Sequence, residues 1–299
     1  MFVFRTDIPL EAEEFRLLRD FIYQYCGLFF ADESKYLLEK RLNKRLVELR
    51  LNCFRDYYYQ LRYAQSREQE LAEAINLLTT NETYFFREDF QLRAFTEEVI
   101  PELVRVKARR GEKSLRIWSA GCSSGEEPYT LAMLLLENPL LYGWSIEIIG
   151  TDISQRVLKI ARDGLYGQNS FRATDERYLQ RYFTQVDQKW QISSKVKDLV
   201  SISHLNFFDD NRVALLGTMD AIFCRNVIIY FDLRAKKRVI RTLHDRLRPG
   251  GYLLLGHSES LMNISADFKL RHFVNDMLYQ KPAVAGLEER GDRCVRSEF

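Results

Sequence analysis

From Leu115 onward, short apolar runs alternate with amphipathic helical stretches, and few folds accommodate that rhythm. The spacing predicts strands over 115–120, 146–152, 219–224, 251–257 and 276–280, with helices near 128–137, 155–163 and 233–247. Strand–helix–strand alternation implies an α/β domain: a mainly parallel sheet with helices on both faces. Residues 166–206 break the rhythm. A capped helix over 174–183 precedes candidate strands at 182–186, 189–193 and 199–205, which read together as a small antiparallel insertion.

Residues 1 to about 80 read as helices only. Phe15, Leu18, Ile22 and Tyr25 recur at helical spacing over 11–26, and Gly27 is a C-terminal stop. A second helix over 35–50 carries Leu38, Leu42, Leu46 and Leu49 on one stripe and Lys40, Arg41, Lys44 and Arg45 on another side. Two more follow, at 54–63 and 67–78. Residues 90–104 look helical with Pro101 interrupting, and the polar run 105–114 reads as a boundary. The expected division is a helical domain over 1–90, a linker helix and boundary over 91–114, a sheet domain over 115–285 and a disordered tail over 286–299.

Charge excludes some functions. Against 42 Asp+Glu stand 44 Lys+Arg, a net +2, which argues against a general nucleic-acid binder. Five cysteines with no CxxC pair and four scattered histidines suggest neither a disulfide framework nor a structural zinc site, so no metal is expected. No signal peptide and no run of about 18 apolar residues is evident, so a soluble cytoplasmic protein without membrane insertion is expected.

Four segments carry chemistry. Trp118-Ser-Ala-Gly-Cys-Ser-Ser-Gly-Glu-Glu-Pro-Tyr-Thr130 follows a strand and opens a helix, with Gly121 and Gly125 permitting a tight turn against a ligand. Glu126 and Glu127 sit where a dinucleotide enzyme would place its pyrophosphate, and two carboxylates there repel phosphate. They suit a ligand with adenosine and positive charge, such as S-adenosylmethionine. Favourable contact with the helix dipole is the competing explanation. It balances ligand contact at Glu126 and yields to it at Glu127. Asp152 ends the second strand about 25 residues past the glycine turn, placed for ribose hydroxyls, with Ser154 as the helix cap. In 219–230 a buried strand ends in Arg225 and Asn226 and runs on to Tyr230, at the strand ends where such sheets bind ligands. Cys224 reads as a small buried residue. In 79–88, polar Asn81, Thr83 and Arg87 alternate with aromatics, a pattern that turn chemistry and a packed aromatic patch explain equally well.

Taken in register, Asn81-Glu-Thr-Tyr-Phe-Phe-Arg-Glu88, Ser119-Ala-Gly-Cys-Ser-Ser-Gly-Glu-Glu-Pro-Tyr129, Cys224-Arg-Asn-Val-Ile-Ile-Tyr-Phe-Asp232 and Gly256-His-Ser-Glu-Ser-Leu261 resemble the chemotaxis receptor methyltransferases, the CheR family. The resemblance runs from about residue 10 to 281. It implies a class I, Rossmann-like methyltransferase sheet domain with an inserted antiparallel β subdomain, preceded by an all-α N-terminal domain. It implies methyl transfer from S-adenosylmethionine to glutamate carboxylates on chemoreceptor cytoplasmic helices, leaving S-adenosylhomocysteine. Cofactor contacts would fall on Asn81, Thr83, Arg87, Glu127, Asp152, Asn206, Phe207, Arg225 and Asn226. Arg87 and Tyr230 would lie near the transferred methyl group as the catalytic pair. The family places receptor recognition on the helical domain, which makes Lys40, Lys44 and Arg45 candidate docking residues. Some members also bind a receptor C-terminal pentapeptide through a glycine-rich hairpin loop. Here the corresponding turn, Val186 to Lys189, is short and lacks glycine, so independence from the pentapeptide is expected. A monomer is expected. A receptor-bound regulator that merely holds the cofactor, and a methyltransferase for RNA or a small molecule, are the competing functions.

Overall fold

The computed structural model describes residues 8–283; Cys294 and the tail over 286–299 lie outside them. Four helices open the chain: α1 Ala12–Cys26, α2 Lys35–Glu48, α3 Phe54–Tyr63 and α4 Arg67–Leu78. Their apolar stripes meet in one core, where Phe15, Leu18 and Ile22 of α1 pack with Leu38, Leu42 and Leu46 of α2 and with Tyr57 and Ile75. Glu11 and Glu14 form a reciprocal capping box on α1, and Gly27 ends it at φ +78° with its N–H on the Tyr23 carbonyl.

Helix continues from Asp89 to Ala108 as α5 Asp89–Arg93, a π turn Ala94–Val99 and α6 Ile100–Ala108. The break expected at Pro101 does not occur. In the widened π turn the N–H of Ile100 reaches back to the Phe95 carbonyl, and Pro101 falls in the first turn of α6, where a missing donor is tolerated. Nor is 105–108 linker. Lys107 is buried on α6, and its Nζ lies 2.7 and 2.8 Å from the two carboxylate oxygens of Asp220. The Arg116 N–H donates to the same carboxylate at 2.8 Å.

The sheet domain holds β1 Ser114–Ala120, α7 Glu126–Leu136, β2 Ser145–Asp152, α8 Gln155–Asp163, β3 Leu165–Tyr166, α9 Glu176–Tyr182, β4 Phe183–Val186, β5 Lys189–Ile192, α10 Ser194–Lys197, β6 Val200–His204, α11 Asp210–Ala214, β7 Met219–Cys224, α12 Leu233–Arg246, β8 Leu247–Leu255, β9 Lys269–His272 and β10 Met277–Gln280. Seven strands form the main sheet in the order β6-β2-β1-β7-β8-β10-β9. The first five run parallel, and β10 and β9 close the edge antiparallel. Alternate residues feed opposite faces: Ile117, Phe223 and Leu254 enter one core and Trp118, Ile222 and Leu253 the other. The small antiparallel sheet is β3-β5-β4. The last strand assigned to the insertion by sequence, β6, instead pairs parallel with β2, Ile148 opposite Val200 and Asp152 opposite His204. Strand order reverses beside β1, so the C-terminal ends of β1, β2 and β7 open onto a crevice.

Lys107→Ala would leave the Asp220 carboxylate buried without its main counter-charge, so a loss of about 3 kcal/mol in urea unfolding is expected. An unchanged urea midpoint would show that the Arg116 N–H and the Arg248 guanidinium, 3.7 Å from the same carboxylate, suffice for it.

Candidate cofactor and active site

The crevice narrows to a cavity of about 300 Å³ lined by Asn81, Thr83, Arg87, Glu127, Asp152, Asn206, Phe207, Arg225, Asn226 and Tyr230. Every residue named as a cofactor contact or catalytic group therefore meets in one place, from five separated segments.

The turn after β1 demands its glycines. Gly121 sits at φ +87° with Val227 so close that a Cβ would lie 2.4 Å from its Cγ2, and Gly125 sits at φ +94° against Ala161. Asp152 staples this turn to β2: one carboxylate oxygen accepts the Ser123 N–H and the other the Ser154 N–H, each at 2.9 Å. Burial pushes its carboxyl up, and these amides oppose the shift. Ser154 does not cap α8 with its side chain. Its hydroxyl donates to Asn76 Oδ1 on α4 at 2.9 Å, and Asp152 serves the local amide instead.

At the end of β7, Arg225 is almost wholly enclosed. Its guanidinium lies 3.2 Å from Glu127 and 3.1 Å from Glu88, and it donates to the Arg87 carbonyl at 2.5 Å. Ser119 donates to the second oxygen of Glu127 at 2.7 Å. Burial raises the Glu127 carboxyl, while Arg225 and the Ser119 hydroxyl act to lower it. Glu126 turns away from the cavity: it is buried under the hydroxyls of Ser124 and Ser170.

The 79–88 segment divides between a packed aromatic patch and the cavity lining. Phe85 packs at 4.9–5.1 Å against Tyr166, Phe171 and Phe183 of the insertion, while Asn81, Thr83 and Arg87 face the cavity. Phe86 and Glu88 take left-handed φ values of 59° and 57°, each costing on the order of 1 kcal/mol, and so bracket Arg87. The Arg87 guanidinium donates to the Glu82 carbonyl at 2.9 Å.

The helical domain completes the walls with Cys26, Leu28 and Leu78. The Phe29 N–H donates to the Tyr230 carbonyl at 3.1 Å, Leu28 forms a β-bridge to Phe231, and Asn206 donates to the Tyr25 carbonyl at 2.7 Å. Burial pushes the Cys26 thiol up to about 12 and holds those of Cys122 and Cys224 well above their usual range, which disfavours the thiolate in each.

Of the docking candidates, Lys40 and Lys44 are exposed on α2, away from the cavity lining. Arg45 turns inward instead: it bonds Glu70 at 2.6 and 2.9 Å, a carboxylate that also accepts the Tyr57 hydroxyl. The helical periodicity that grouped it with Lys44 carries no sign of an acid 25 residues on.

Sequence reasoning assigned no role to Glu259. Its carboxylate accepts the N–H groups of Gly256 and Asn226 at 2.8 Å and of Ile229 at 3.2 Å, gathering the loop between β7 and Tyr230. Asn226 is thereby held at φ +58°, and Gly256 is required because a Cβ would come within 2.8 Å of Asn226. Only its place in the Gly256–Leu261 motif hinted at it. Glu259→Gln keeps the shape but sets an amide donor against these N–H groups. Exchange of the Asn226 and Ile229 amides with deuterated solvent is expected to speed up by about one to two orders of magnitude. Unchanged protection would show that the loop holds itself.

The donor set fits S-adenosylmethionine. Asp152 offers a fixed acceptor for ribose hydroxyls, Phe207 an aromatic wall, and Glu127 negative charge. The Asn226 Oδ1 is buried without a hydrogen-bond partner among the described residues, an acceptor suited to an ammonium. Comparison with known proteins agrees. Residues 81–275 match the CheR methyltransferase, SAM binding domain, and residues 13–79 the CheR methyltransferase, all-alpha domain. Chemotaxis protein methyltransferase 2 of Vibrio cholerae is 38% identical over 289 residues, covering 96% of this chain and 99% of that one. Chemotaxis protein methyltransferase 1 of Pseudomonas aeruginosa is 33% identical over 273 residues, covering 89% and 97%. The chain is thus an S-adenosylmethionine-dependent methyltransferase, and with both domains matched in order it belongs to the CheR methyltransferase family.

Proposed function

We propose that the enzyme methylates glutamate side-chain carboxylates on the cytoplasmic helices of chemoreceptors, forming glutamyl methyl esters for sensory adaptation. The observation that carries this reading is the company Arg87 and Tyr230 keep: a cation and a phenol line the same cavity as Asp152, Glu127 and Asn226. When bound, S-adenosylmethionine supplies a methyl group on a sulfonium, an electrophile that an ionised carboxylate attacks directly, leaving S-adenosylhomocysteine.

A glutamate is already ionised near pH 7, so the chain needs no general base for it. Its work is positioning and desolvation. Arg87 offers the carboxylate a charge-assisted partner, and the Tyr230 hydroxyl a hydrogen bond that orients the attacking oxygen. Asp152 holds the ribose, Phe207 flanks the base, and Glu127 and Asn226 receive the ammonium. Arg225 keeps Glu127 in place, and Asn81, Thr83 and Asn206 complete the walls. Lys40 and Lys44 steer the acidic receptor helix towards the helical domain. On this reading the enzyme is a monomer that works in the cytoplasm, where the receptor helices lie, and it uses neither nucleic acid nor membrane insertion. Among the described residues no helix is long and apolar enough to cross a membrane.

Incubation with methyl-labelled S-adenosylmethionine and receptor-bearing membranes is expected to label the receptor, and mild alkali to release the label as methanol. Alkali-resistant label would defeat the carboxylate mechanism. In the same assay Arg87→Ala is expected to lower turnover about a hundredfold or more. Wild-type turnover would remove Arg87 from the catalytic pair.

The same proposal includes independence from a receptor C-terminal pentapeptide. The β4–β5 hairpin turns in two residues, Asp187 and Gln188, with Asp187 at φ +54° and no glycine. Calorimetry is expected to show no binding of such a peptide; a micromolar Kd would contradict it.

A further inference from the structure

Helix α12 follows the Tyr230 loop directly and carries six cations against the single Asp245. That +5 exceeds the net +2 of the whole chain, so everything outside the helix sums to −3. One face buries Ala235, Val239, Ile240 and Leu243. The other presents Arg234, Lys237, Arg238 and Arg241 at i, i+3, i+4 and i+7, all exposed. Arg238 is paired with Asp210 at 3.0 Å, whereas Arg234, Lys237 and Arg241 have no carboxylate within ion-pair reach among the described residues. The contrast with α2 is informative, because there Arg45 pairs with the buried Glu70 and Arg41 is tied to the Thr80 hydroxyl. At the start of the stripe, beside Tyr230, the apolar side chains of Ile229 and Leu233 are about half exposed. A shallow hollow between α1 and α12, lined by Asp20, Tyr23, Phe208, Arg234 and Arg238, continues the surface.

We propose that this face of α12 is a second docking surface for the substrate protein, and that its occupant is an acidic amphipathic helix. This rests on the carboxylate-methylating reading above. Carboxylates of the incoming helix would lie along Arg234, Lys237 and Arg241, its apolar side would cover Ile229 and Leu233, and its target glutamate would arrive beside Tyr230. The scale fits: seven residues of α12 span about 10 Å, two turns of a partner helix. A narrow acidic helix can follow one cationic stripe of this length, its carboxylates matched to Arg234, Lys237 and Arg241.

The test uses the full-length enzyme, a soluble cytoplasmic receptor fragment and methyl-labelled cofactor. Lys237→Glu with Arg241→Glu is expected to raise KM for the fragment about tenfold at low salt, with kcat and calorimetric cofactor Kd within about twofold of wild type. Raised salt is expected to weaken the wild type towards the variant. Lys237→Arg with Arg241→Lys is expected to behave as wild type. If the charge-reversed pair fails to fold, the Gln pair reads the same shift at reduced size. An unchanged KM overturns the proposal. So does loss of sedimentation with phosphatidylglycerol vesicles while KM stays unchanged, which would reassign the stripe to a membrane surface. Absence of alkali-labile label with wild type overturns the carboxylate reading alone. Fluorescence anisotropy of fragment binding to wild type and charge-reversed enzyme then decides the docking surface by itself: charge-sensitive binding upholds it, charge-insensitive binding overturns it.

Discussion

The guanidinium of Arg225 is the interaction on which the rest depends. It joins Glu127 at the start of α7, Glu88 and the Arg87 carbonyl of the 79–88 loop, and its own strand end on β7. Enclosing a cation carries a desolvation cost on the order of several kcal/mol, offset here by the ion pairs to two partly exposed carboxylates and the bond to the Arg87 carbonyl. The Ser119 hydroxyl on Glu127 extends that matching. Three segments far apart in sequence are thereby made interdependent, because moving any one leaves a buried charge unpaired.

Around this cluster the site is fastened mainly by carboxylates accepting backbone amides. Asp152 takes two and Glu259 three. Such bonds fix the course of the chain and not merely a side chain, which is how Ser123 and Asn226, whose N–H groups they hold, can sit in left-handed backbone conformations at the cavity wall. Rigidity is concentrated where methyl transfer gains most from alignment.

Much of this was legible in the sequence because it is local. Strand ends, the glycine turn and the position of Asp152 follow from periodicity and from the need for positive φ, and three of the four motifs, at 81–88, 119–129 and 224–232, line one cavity while Gly256–Leu261 lies outside its lining. What was misread depends on partners distant along the chain. Ser154 looked like a cap until Asn76, 78 residues away, claimed its hydroxyl. Arg45 looked free until Glu70 did the same. The apolar run of β6 says that it is a strand but not which sheet it joins. The two-residue strand β3 has no periodicity to read, and Glu259 acts through amides of two different segments. Pro101 misled for a different reason, since a π turn absorbs a break that the α-helical ladder would have suffered.

The short β-bridge between Leu28 and Phe231, with Phe29 bonded to the Tyr230 carbonyl, has a consequence for how such proteins can be recombined. The helical domain is no detachable cartridge. Its exit from α1 forms part of the floor under Tyr230, and Gly27 there is packed so tightly that a Cβ would fall 2.3 Å from the Phe208 ring. Grafting the helical region of one relative onto the sheet domain of another therefore transplants half of a joint. A working hybrid has to match residues 27–30 to 206–208 and 230–232, whatever the origin of its helices.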